Sequence, residues 1–117
     1  FDKINKMKPG NVDLILFNKD NINDLLTKEL DKKPDYIMVD NDPKYIQRVD
    51  IVKLIHANKK NDCVIILDNG TWNKEAFSFL RERYYCMDFP GINTKLQNTV
   101  TSIFFTETNS KYIYGEE

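Results

Sequence analysis

Short β-branched runs alternate along this chain with longer segments whose apolar residues recur at helical spacing. Val12 to Phe17 (Val-Asp-Leu-Ile-Leu-Phe) reads as a strand, opened by the turn signal Lys8-Pro9-Gly10-Asn11. Asn21 is placed to cap a helix with Asp24 in its first turn, and Ile22, Leu25, Leu26 and Leu30 fall on one face before Lys33-Pro34 ends it. Asp35 to Asp40 is the second strand. Asp42-Pro43, a cap followed by proline at the first helical position, starts a second helix whose stripe is Ile46, Val49, Val52 and Ile55, with Ile51 and Leu54 beside it.

After the polar break from Asn58 to Asp62, Cys63 to Leu67 is an uninterrupted apolar run, the pattern of a central strand covered on both faces. Thr71 or Asn73 caps a third helix carrying Ala76, Phe77 and Leu80. Tyr84 to Phe89 and Val100 to Thr106 read as two last strands. The residues between them, Pro90 to Thr99, suit an antiparallel return better than a helical crossover. The polar tail after Thr106 is expected to fray.

The alternation predicts one α/β domain over residues 1–117, with a mostly parallel sheet and helices on both faces as a three-layer sandwich. The closing strands add a C-terminal antiparallel hairpin, with one antiparallel strand near a sheet edge.

Composition narrows the partners. Seventeen basic residues stand against 18 acidic ones, so the chain has no general attraction to nucleic acid or to anionic membranes. No apolar stretch approaches the roughly 20 residues that span a bilayer, and no basic-then-apolar leader is present. Cys63 and Cys86 lie inside apolar runs and read as small hydrophobes, which points to a reduced, cytoplasmic setting.

In open parallel sheets ligands bind at the carboxyl ends of the strands. Those ends carry Asn18-Lys19-Asp20-Asn21, then Asp40-Asn41-Asp42, then Asp68-Asn69-Gly70. Acids gathered on one rim repel each other unless a cation, an ammonium group or hydrogen-bond donors compensate. Asp and Asn are also preferred turn formers and caps. For Asp42 the cap is the better reading, and for Asp20 and Asn21 the cap and ligand readings stand level. Asp40 and Asp68 each directly end an apolar strand, and for them a functional role is favoured.

The order and spacing of several stretches carry a resemblance. Pro34-Asp-Tyr-Ile-Met-Val-Asp-Asn-Asp-Pro-Lys-Tyr45, a helix containing Val49-Asp50-Ile51, and Val64-Ile-Ile-Leu-Asp-Asn69 resemble the fourth and fifth strands of class I S-adenosylmethionine-dependent methyltransferases. Glu75-Ala76 with Phe79-Leu80-Arg81, then Met87-Asp88-Phe89-Pro90-Gly91 and Thr101-Ser102-Ile103-Phe104-Phe105, are similar to the last helix and closing hairpin of that family. The similarity runs from about Asn11 to Thr106 and implies a partial Rossmann-like fold.

By position, the resemblance implies that Asp20 and Asn21 contact the cofactor's adenine and that Asp40 lies near its methionine portion. Asp40 and Asp68 then sit at the reacting end as catalytic residues, and the methyl acceptor is a small molecule. In the catechol type of this family an aspartate joins an Asp-Asn pair to hold magnesium, and Asp40, Asp68 and Asn69 match that set. Magnesium takes hard oxygen ligands of this kind and acidifies a bound hydroxyl.

The family's glycine-rich loop has no counterpart here: the glycines are Gly10, Gly70, Gly91 and Gly115, with no G-x-G. The expectation is therefore a chain that forms the carboxyl-terminal part of such a domain and is inactive alone. The alternative, from another class, is a non-catalytic α/β module that forms a homodimer through an exposed sheet edge. His56 reads as a helix-end histidine favoured by the dipole. Trp72 borders a substrate pocket or packs over the sheet edge.

Overall fold

The computed structural model describes residues 6–7, 9–10, 15, 18–40, 47–68, 73–92 and 98–108. The strand expected from Val12 to Phe17 lies outside the described residues except for Ile15. Helix α1 spans Ile22–Asp31. Asn21 stands at its N-cap, in a turn that it shares with Asn18. The Asn18 Oδ1 atom accepts from the N–H groups of Asp20 at 2.9 Å and Asn21 at 3.1 Å, and the Asn18 N–H donates to Asn21 Oδ1 at 2.7 Å. This reciprocal exchange over three residues satisfies donors that a helix start leaves open, in the manner of a capping box. At the exit, Lys33 adopts the left-handed conformation (φ 55°) and donates to the Leu30 carbonyl at 3.0 Å, and Pro34 prevents continuation.

Strand β1 is Tyr36–Val39 and helix α2 is Arg48–Asn58. Gln47 is extended (φ −64°, ψ 134°), so the helix that the sequence pattern starts at Pro43 starts at Arg48; residues 41–46 lie outside the described residues. Strand β2 is Val64–Leu67, and α3 is Lys74–Arg81 with Asn73 at its cap. Strands β3, Tyr85–Ile92, and β4, Asn98–Phe105, form a hairpin. Their ladder continues to Ile92 opposite Asn98, so strand occupies half of the stretch read as a long connection, and residues 93–97 lie outside the described ones.

Among the described residues the sheet has four strands in the order β1-β2-β4-β3. The β1 and β2 strands are parallel, and β4 is antiparallel to both β2 and β3. The result is an α/β fold on a mixed sheet. Pro90, which has no N–H to donate, stands on the edge strand β3, where its absence is tolerated.

Side chains alternate across a strand. Val39, Ile65, Leu67 and Phe104 face one way and form a continuous core with Leu30 of α1, Ile51, Val52 and Ile55 of α2, and Ala76 and Leu80 of α3. Neighbouring helices pack in the order α1, α2, α3. All three lie on this one face, so the bounded elements make two layers where the sequence pattern predicts three. On the other face Tyr36, Met38, Tyr85 and Phe89 are 67%, 52%, 55% and 49% exposed.

Candidate functional site

The in-register parallel pair β1 and β2 ends at Val39 opposite Leu67. Asp40 and Asp68 follow directly, so the two residues stand at the carboxyl ends of adjacent strands. The Asp68 N–H donates to the Val39 carbonyl at 3.2 Å, which ties the two strand ends together. Of the three strand ends expected on this rim, these are two; the strand before Asn18 lies outside the described residues but for Ile15.

A third residue organises it. Arg48, the first residue of α2, is only 6% exposed. Its guanidinium donates to the main-chain carbonyl of Asp68 and reaches Asp40 Oδ1 at 3.4 Å. From β4, Thr101 Oγ1 donates to Asp68 Oδ1 at 2.9 Å. The rim's acids are thus compensated by one buried cation and one hydroxyl, as a desolvated cation and its partners require of each other. Arg48 went unnoticed in the sequence, although the signal was there. It precedes Ile51, Val52 and Ile55 by three, four and seven residues, so it lies on the buried stripe, where a charge must have partners.

Between α1, α2 and β1 lies a cleft of about 390 Å³, lined by Ile22, Leu26, Ile37, Ile51 and Ile55 among others, with Asp40 as the one polar residue among the described ones that line it. Asn21 is the neighbour of Ile22. The hydrogen bonds that Asp20 and Asn21 make among the described residues are to Asn18, within their own turn. The structure therefore brings Asp40 and Asp68 together through Arg48, and it gives Asp20 and Asn21 the local role that any capping turn needs. Asn69 and Trp72 lie outside the described residues. Among the described residues no group of three or more His, Cys, Asp and Glu gathers in a form that could hold a metal.

A second polar group lies on the hairpin. Ser102, fully buried on β4, donates to Asp88 Oδ1 at 2.7 Å, and the Cys86 thiol approaches the same oxygen at 3.2 Å. The Ser102 hydroxyl holds the Asp88 carboxyl below its ordinary range. Burial, reinforced by Asp88, pushes the Cys86 thiol up to about 11, so it stays protonated at neutral pH and is a poor nucleophile. Cys63 is buried, and desolvation raises its thiol as well.

His56 departs from its expected role. Its Nδ1 lies 2.6 Å from the Tyr84 hydroxyl, and its ring meets Phe79 and Tyr84 edge-on at 5.5 and 5.6 Å. Desolvation, then Arg83 and Lys59, lower its pKa, so the neutral ring is favoured over the imidazolium that a helix C-terminus would attract. It is an anchor between α2 and the start of the hairpin, remote from the rim in the fold.

No protein-family model matches this chain, and no curated protein matches it either.

Proposed function

We propose that this chain serves S-adenosylmethionine-dependent methyl transfer to an oxygen or nitrogen of a small molecule, with Asp40 and Asp68 at the reacting end. The observation that carries the reading is the emergence of two strand-end carboxylates from adjacent parallel strands, beside an apolar cleft whose polar lining is Asp40. Strand direction supports the same reading. Because β4 opposes both of its neighbours, β1, β2 and β3 point the same way, a direction compatible with the Rossmann-like reading.

S-adenosylmethionine supplies an activated methyl group on a sulfonium. The chain's own residues do the rest. Asp40, with its side chain 54% exposed, accepts hydrogen bonds from an ammonium or hydroxyl group at the mouth of the cleft. Asp68, oriented by the Thr101 hydroxyl, is positioned to take a proton from the acceptor. Asp20 and Asn21 lie at the start of the helix that borders the cleft, where an aromatic base would lie against Ile22 and Leu26.

Amide NMR of the chain, titrated with S-adenosylhomocysteine, tests this. Shifts confined to Asp40, Asn21 and their neighbours are expected, with binding about tenfold weaker in Asp40→Asn, as for loss of one charge-assisted hydrogen bond. A spectrum that does not change at millimolar ligand would sink the proposal.

A second reading has an observation of its own: β1 stands at the edge of the four described strands, with Tyr36 and Met38 exposed. An exposed edge of this kind pairs with another chain, which makes the molecule an association module that forms a homodimer. Sedimentation over a range of concentrations separates the readings. Dimer formation without ligand shifts supports this one, and ligand shifts in a monomer support the first.

A further inference from the structure

The rim needs a positive charge, and the chain supplies it. We infer that the Arg48 guanidinium takes the place of a divalent cation at Asp40 and Asp68, so that this rim works without magnesium. The inference concerns the site of the proposed function, but it rests on that site's geometry and not on methyl transfer.

Three observations lead to it. Arg48 is 6% exposed, and its fork is committed to both strand ends, to the Asp68 carbonyl and to Asp40 Oδ1. A divalent ion bound between these two acids would sit within a few ångströms of that guanidinium, where like charges repel strongly in a poorly hydrated setting. The Asp68 carboxylate is turned to the Thr101 hydroxyl on β4, on the far side of β2 from β1. Magnesium demands near-octahedral oxygen ligands at short range. Here one carboxylate meets a guanidinium and the other a hydroxyl, which does not fit such an ion.

Arginine also suits the task in a way that lysine does not. Its planar fork reaches a carbonyl and a carboxylate at once, and it is less strongly hydrated than an ammonium, so it tolerates burial better. By holding the first residue of α2 against the tips of β1 and β2, Arg48 positions Asp40 at the mouth of the cleft. It is a positioning residue, and its charge is what sets the ligand preference of the rim.

The test uses Mn2+ as a paramagnetic substitute for magnesium, with the whole chain and no organic cofactor. Broadening of the Asp40 and Asp68 amide resonances is followed up to about 1 mM Mn2+, the weak end of protein sites for divalent cations. In the wild type these amides are expected to stay sharp. Arg48→Gln keeps a donor for the Asp68 carbonyl and removes the charge, and it is expected to bind Mn2+ at least about tenfold more tightly than the wild type. Adding Asp40→Asn to that variant should abolish the binding. Wild-type broadening that Asp40→Asn removes would overturn the inference, and so would a folded Arg48→Gln chain that binds no Mn2+. Should Arg48→Gln fail to fold, the wild-type measurement decides alone: sharp amides sustain the inference and broadened ones overturn it. Because S-adenosylhomocysteine is absent, failure here leaves the methyl-transfer reading to its own titration.

Discussion

The two faces of the sheet differ in what covers them more than in what they are made of. Toward the helices, Ile65, Leu67, Ser102 and Phe104 are fully buried. Away from them, Tyr36, Met38, Tyr85 and Phe89 are each about half exposed or more, and Phe105, opposite Tyr85, is the fully buried exception. A strand such as Val64-Ile-Ile-Leu67 has no polar side to present, so its sequence cannot say which face the helices take. The helical stripes decide that. Those of α1, α2 and α3 converge on one face, and burial energy is concentrated there.

The comparison is easiest to break at Phe104. Phe104→Ala removes a fully buried ring that meets Phe77 at 5.7 Å, and it is expected to cost about 3–5 kcal/mol in urea unfolding. Ser102→Ala tests a polar position on the same face. Removing the donor from the Asp88 carboxylate should cost about 1–3 kcal/mol, most of it regained when Asp88→Asn is added. On the opposite face, Met38→Thr should change stability by no more than about 0.5 kcal/mol, while binding of a hydrophobic dye falls. A large loss there would mean that this face is covered, and the contrast between the faces would be gone.

The smallest effect is one of pH, on the outer surface of the helix layer. The folded-state pKa of His56 lies below its ordinary value of 6.5, so the unfolded chain binds its proton first as the pH falls. The stability this group contributes is present above pH 6.5 and is lost below it, toward the folded-state value. Unfolding midpoints between pH 7 and 5 should therefore fall less steeply in His56→Gln than in the wild type. An unchanged slope would remove the neutral-ring assignment.

Periodicity made the described helices and the order of the strands legible, because stripes such as Ile51, Val52 and Ile55 follow from 3.6-residue spacing alone. Asp40 and Asp68 were legible as a pair because both end apolar runs that lie next to each other in the sheet. Arg48 was not singled out, since a lone arginine at a helix start reads as solvated until its place on the buried stripe is noticed. The start of α1 was legible, with Asn21 at its cap. What the pattern did not show is that Asn18 joins Asn21 in the turn, each side chain accepting from the other's N–H. The covered face of the sheet could not be read because both faces are apolar.

Pro90 on the outer strand of the hairpin has a consequence for how copies of this chain can assemble. Growth of a fibre by strand addition needs two receptive edges on every copy, one to take a neighbour and one to offer to the next. An edge interrupted by a residue without an N–H offers a broken ladder. Were copies to pair through the β1 edge, as the second reading proposes, an interrupted β3 edge would work against further growth by strand addition.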